Sequence, residues 1–130
     1  MARIFRRLSQ FSKKEIDRAF ADARCVAKQQ ELTILASPRQ GEFARILPII
    51  PRKVGTAPVR NKLRRRLKAI FYESQLYERD HDLLVLTRKG AGELTFEQLQ
   101  EILARAAKRA ASGAGDARHG GRASRADSRG

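Results

Sequence analysis

The chain has 130 residues, which suggests one domain able to bury roughly two-thirds of its unfolded surface. Lys and Arg number 28 against 14 Asp and Glu, a formal charge of +14, with a pI near 11.2. That imbalance implies a polyanionic partner, either nucleic acid or an anionic membrane surface, and leaves the fold open.

The membrane is disfavoured, because no apolar run approaches the ~20 residues of a span. The basic start, Met1 to Leu8, runs into Ser9, Gln10 and Ser12 to Glu15 rather than a signal-peptide core. A cytoplasmic protein with no membrane partner is expected. A single cysteine, Cys25, excludes an internal disulfide and a cysteine-based zinc site. Tyr72 and Tyr77, with no Trp, are too few for an aromatic stacking platform.

Taken in order, the first predicted helix starts at Ser12. Ser12-Lys13-Lys14-Glu15 is a capping box, with Phe11 and Ile16 at the positions of a hydrophobic staple. Ile16, Ala19, Phe20 and Ala23 follow as an apolar stripe at helical spacing. Glu31 to Ala36 reads as a strand and Pro38 to Glu42 as a loop. Ala44 to Ile50 is a second strand, in which Pro48 argues for an edge position or a bulge.

Beyond the basic segment between them, Asp82 to Thr87 is a third strand, apolar enough for burial on both faces. A last helix is capped by Thr95 and Gln98, with Leu94 placed to staple onto Leu99. Its buried stripe is Phe96, Leu99, Ile102, Leu103, Ala106 and Ala110. Arg105, Lys108 and Arg109 fall in its last turns, where cations suit the helix dipole. The expected fold is an α/β (α+β) sandwich on a small sheet of three to four strands with about three helices, in the order α-β-β-α-β-α. Residues 1–112 form the single domain. Residues 113–130 lack large apolar side chains and read as a disordered basic tail. Its Arg118, Arg122, Arg125 and Arg129 either add loose phosphate contacts or stay solvated.

The segment from Pro58 to Phe71 carries the most information. Pro58 suits a first helical turn. At ~100° per residue, Val59, Leu63, Leu67, Ile70 and Phe71 span an arc of roughly 120° that packs on the sheet. Asn61, Arg64, Arg65 and Lys68 lie opposite, with Lys62 beyond them. Arg60 and Arg66 fall at the arc's edges, where their stems can lie along apolar surface. No acidic residue occurs between Thr56 and Tyr72. Stacked like charges destabilise a helix by a few tenths of a kcal/mol per pair, and a bound polyanion relieves this. Arginine forks grip phosphates with two bonds, and Asn61 suits a 2′-hydroxyl or a base edge. About six phosphate contacts imply a log K against log[salt] slope of order −5. Arg52 and Lys53 extend the positive region, and Gly55 permits a tight turn into the helix.

The run Arg52-Lys53-Val54-Gly55-Thr56-Ala57-Pro58-Val59-Arg60-Asn61-Lys62-Leu63-Arg64-Arg65-Arg66-Leu67 resembles the signature of the protein subunit of bacterial ribonuclease P. The resemblance spans roughly residues 5–110 and takes in Phe11 to Phe20, Asp82 to Thr87, the Arg88-Lys89-Gly90-Ala91 turn and the last helix. It implies a non-catalytic partner of a catalytic RNA. That ribonucleoprotein is an endonuclease that removes the 5′ leader of precursor tRNA, with hydrolysis performed by the RNA and its Mg²⁺.

By the same resemblance, Arg52, Lys53, Arg60, Asn61, Lys62, Arg64, Arg65 and Lys68 face the RNA. Ile16 and Phe20 line a leader cleft between the first helix and the sheet. Read from spacing alone, Phe20 is instead a core residue. The sequence departs from the family at Ile16, where a second aromatic is frequent. It departs again at Pro51, where a small hydroxyl residue is common, and at Pro48. A monomeric protein, one per RNA, is implied.

The residues offer no catalytic site of their own. His81 stands between Asp80 and Asp82, a pattern that could suit a general base or weakly held Mg²⁺. Its place at a loop-to-strand junction favours a structural role. Three alternatives remain: a structural ribosomal protein, a DNA-binding module, and a protein-only nuclease. The second lacks a helix-turn-helix partner, and the third lacks clustered carboxylates for two metals.

Overall fold

The computed structural model describes residues 2–113, so the expected tail lies outside the described residues except for Gly113. Eight regular elements follow one another: α1 (Ala2–Arg7), α2 (Lys13–Ala21), β1 (Arg24–Lys28), β2 (Leu32–Pro38), β3 (Ile46–Ile49), α3 (Ala57–Glu73), β4 (His81–Thr87) and α4 (Phe96–Ser112). The α+β expectation is met, with four strands, within the expected three to four, and with α1 and β1 added to the expected order of elements. The sheet runs β1-β2-β4-β3. Strand β2 runs antiparallel to both its neighbours, β1 and β4, and β3 joins β4 in parallel. A parallel pair needs a crossover, and α3 supplies it.

Local chemistry sets the boundaries. Both capping boxes form. Ser12 Oγ accepts from the Glu15 N–H at 3.1 Å while Glu15 Oε1 accepts from the Ser12 N–H at 2.8 Å. Thr95 and Gln98 repeat the exchange at the start of α4. Gly113, in the left-handed conformation at φ 76°, ends that helix. Pro48 sits in β3, which pairs only with β4 at the sheet's edge, so its missing N–H deprives no second neighbour.

The two faces of the sheet are covered unequally. On one, Val26, Ile34, Ile46, Leu83 and Val85 join Leu63, Leu67, Ile70 and Phe71 of α3 and Leu99, Leu103 and Ala106 of α4 in the main core. On the other, α2 presents Ala19, which with Ala23 meets Leu35 and Leu84. Cys25, Leu47 and Leu86 around that patch stay only partly buried. A single short helix does not cover a four-stranded sheet, and an open strip remains beside it.

Candidate nucleic-acid interface

Helix α3 is fixed on its inner side. Leu63 is 3% exposed, and Leu67, Ile70 and Phe71 are fully buried. Burying side chains of this size stabilises by about 1.5–3 kcal/mol each, so the helix is a rigid platform. Val59 departs from the predicted arc and is 38% exposed. It lies in the first turn, between two glycines. A Cβ on Gly55 would stand 2.9 Å from Val59 Cγ1, and one on Gly92 would stand 2.7 Å from it. Gly55 has an extended backbone, with φ 164°. Glycine is therefore needed there for close approach to Val59, rather than for the tight turn expected from the sequence.

The outward face carries the predicted cations. Asn61, Lys62 and Arg65 are exposed and Arg64 is half-buried. Arg64 Nη1 donates to Asn61 Oδ1 at 2.8 Å, which pre-positions both side chains. Arg52 and Lys53 are exposed on a 3₁₀ turn, Arg52–Val54, just before the helix. Two ion pairs occur among the described residues, Arg45–Glu15 and Arg105–Glu101, and neither touches α3. The positive charge of this face is therefore not neutralised within the described part of the protein.

Three of its basic side chains are tied inward. Arg60 Nε donates to the Gly55 carbonyl at 3.1 Å, and Arg66 Nη1 to the Leu94 carbonyl at 3.3 Å. Both follow from their place at the edge of the buried arc. Lys68 Nζ donates to the Arg6 carbonyl at 3.4 Å and lies 4.8 Å from the Phe5 ring centroid. Burial pushes its pKa below the usual lysine range.

The proposed leader-cleft residues lie on α2, away from this face. Phe20 is 39% exposed, so the core reading from helical spacing does not hold. The small side chains of Ala19 and Ala23 make the contact with the sheet instead. Ile16 is half-buried.

Arg45, which the sequence reading passed over, braces this helix. Its backbone N–H donates to Asp82 Oδ1 at 2.8 Å, and its Nη1 donates to the Gln10 carbonyl at 2.6 Å and to Glu15 Oε1 at 3.1 Å. Its guanidinium also lies 4.2 Å from the Phe11 ring centroid. One side chain thus joins the start of β3, the α1–α2 turn and the α2 cap. The available signal is an arginine inside the otherwise apolar run from Ala44 to Ile50.

Asp82 is fully buried. Desolvation raises its carboxyl pKa, while the hydrogen bond and charge of Arg45 oppose the rise. With one carboxylate buried and engaged, Asp80–His81–Asp82 offers no open pair for a cation. No group of three potential metal ligands occurs among the described residues. No helix among them is long and apolar enough to cross a membrane.

Together, a sheet-backed basic helix and a positive face with no paired carboxylate among the described residues define a basic α+β protein suited to a polyanionic partner. The sequence profile of the family described as Ribonuclease P matches residues 5–111. The chain therefore belongs to the ribonuclease P protein component family, whose members are part of an RNA-processing ribonuclease.

The ribonuclease P protein component of Erythrobacter litoralis is 38% identical over 87 residues, covering 65% of this chain and 72% of the relative. That of Halalkalibacterium halodurans is 31% identical over 98 residues, covering 74% and 82%. The ribonuclease P protein of Thermotoga maritima superposes with a TM-score of 0.65 at 23% identity, covering 78% of this chain and 96% of that one. The Staphylococcus aureus protein gives 0.65 at 21% identity, covering 79% and 94%. These two likenesses establish the shared fold. Nothing in the comparisons favours a ribosomal protein.

Proposed function

We propose that the protein binds the catalytic RNA of ribonuclease P through the outer face of α3 and the Arg52–Lys53 turn. The open strip beside α2, flanked by Ile16 and Phe20, receives the 5′ leader of precursor tRNA. One observation carries the reading: Asn61, Lys62, Arg64 and Arg65 stand together on a rigid helix, with no carboxylate paired to the cations among the described residues. Such a face gains binding free energy by releasing counterions from RNA. Arg60 and Lys68 contribute at its margins.

The protein holds and positions, while phosphodiester hydrolysis belongs to the RNA with Mg²⁺ held mainly by that RNA. A monomer acts with one RNA, in the cytoplasm. The direct test mixes purified protein with ribonuclease P RNA and precursor tRNA at low Mg²⁺. Restored 5′ cleavage is expected with both components and none with protein alone. Cleavage by protein alone, or no effect on the RNA, overturns the reading. Changing Arg64 and Arg65 to Ala should weaken RNA affinity and reduce the log–log salt slope by about 1.5.

A further inference from the structure

Helix α1 is too short to persist by its own hydrogen bonds, and its sequence, Ala-Arg-Ile-Phe-Arg-Arg, contains no acid. It is nevertheless docked firmly. Leu8, just after it, is fully buried, and its carbonyl accepts from the Ile46 N–H at 2.7 Å. Phe5 meets Tyr72 of α3 edge-on, with ring centroids 5.4 Å apart. Tyr72 stacks in turn on Tyr77 at 5.7 Å. The guanidinium of Arg7 lies 5.2 Å from the Phe43 ring centroid.

Lys68 completes the joint from the α3 side, through the Arg6 carbonyl and the Phe5 ring. A cation at the last turn of a helix is favourably placed against its dipole. Arg6 and Arg7 both stay exposed and form no ion pair among the described residues. Lys68 lies one helical turn, roughly 5–6 Å, from Arg64. The joint therefore sets the last turn of α1, which carries both arginines, against Lys68 at the margin of the basic face of α3. No carboxylate is ion-paired with Arg6 or Arg7 among the described residues, so a polyanion would relieve the repulsion of gathering them there.

We propose that α1 is a second RNA-contact element, in which Arg6 and Arg7 continue the phosphate-binding face of α3 and Lys68 acts as the positioning residue that docks it. The inference rests on α3 being the RNA-binding surface. It changes the role of Lys68, whose ammonium reaches RNA chiefly by holding α1 in place. The ligand is the sugar-phosphate backbone of a structured RNA, gripped without reading its bases.

The test measures binding of the full-length protein to ribonuclease P RNA across a salt series. Each lost phosphate contact flattens the slope by about 0.7–0.9, which at ~0.15 M salt is about four- to fivefold in affinity. The double change R6A/R7A should therefore weaken binding about twentyfold and flatten the slope by about 1.5. K68M removes one charge yet should match the double change in affinity. In the R6A/R7A background it should add less than twofold, whereas an independent phosphate contact would add a further four- to fivefold.

The pair R105A/R109A, on exposed positions of α4, should leave affinity within twofold, which controls for net charge. If R6A/R7A binds as the wild type while R64A/R65A is weakened, α1 is not a contact element and the inference fails alone. Equal losses in R6A/R7A and R105A/R109A would reduce the effect to net charge and also overturn it. If R64A/R65A binds as the wild type, the underlying reading of α3 fails as well.

Discussion

Substitution of Gly92 by Ala tests how the first turn of α3 is held. The new Cβ would stand 2.7 Å from Val59 Cγ1, well inside the ~3.5–4.0 Å optimum for two carbons. Relief requires a shift of about 1 Å, and rotation of Val59 does not readily provide it. A helical valine strongly favours one χ1 rotamer, and the same methyl already packs close over Gly55, where only glycine leaves it room. Overpacking of this kind typically costs about 1–3 kcal/mol. For a domain of about this size, each kcal/mol shifts Tm by roughly 4 °C, so a fall of about 4–12 °C is expected.

Val59→Ala removes both methyls at small cost, because the side chain is 38% exposed. It should restore most of the loss when combined with Gly92→Ala. Thermal unfolding followed by circular dichroism on the four proteins of this cycle gives the coupling directly. A Gly92→Ala protein as stable as the wild type, or a double variant no better than the single, would refute the steric account.

Other substitutions probe the brace under α2. Arg45→Ala removes the bonds to Gln10 and Glu15 and leaves Asp82 buried without its compensating charge. The Arg45–Glu15 pair is open on one side, the Glu15 side chain being 38% exposed, so the expected loss lies between the surface-pair and buried-pair ranges, about 1–3 kcal/mol. Urea unfolding reads this cost, and a loss below about 1 kcal/mol would show that Arg45 is not a brace. Asp82 has a raised pKa in the folded state, so its ionisation opposes folding above that pKa, and the cost disappears below the ordinary carboxylate value. The unfolding free energy of Asp82→Asn, relative to wild type, should therefore move in the variant's favour as pH rises through that interval. A difference that does not vary with pH would contradict the assignment.

The features legible in the sequence are those fixed by local chemistry. Two capping boxes, the strand at Asp82 to Thr87 and the inner stripe of α3 from Leu63 to Phe71 depend on neighbours within a few residues, and each forms as read, with Val59 alone leaving the stripe. What escaped depends on tertiary packing. Strand β1, Arg24–Lys28, buries only Val26 fully and is bulged between Cys25 and Ala27, so no period-2 pattern betrays it. Helix α1 is six residues long, below the window in which periodicity can be counted. Its order comes from Leu8, Phe5 and Lys68. Phe20 was misplaced by helical spacing for a related reason. A helix alone on its side of a sheet buries a narrow stripe, and two alanines fill it.

The arginines of α3 divide by what lies within reach of their stems. Arg60 and Arg66 flank the buried arc, close to carbonyls left free by the turn before α3 and the turn before α4, and they donate to those carbonyls. Their bonds are to protein, so they fix where the helix stands. Arg64 reaches only Asn61, and Lys62 and Arg65 project outward. Spacing around the helix axis thus separates cations that orient the platform from cations that face outward. A patch of mobile surface lysines with the same total charge would attract a polyanion equally at long range. It would order its side chains only on contact, at an entropic cost of about 0.5–1.5 kcal/mol each. The Arg64–Asn61 hydrogen bond lowers that cost for its two side chains, and anchoring the helix from both margins fixes the backbone from which Lys62 and Arg65 project.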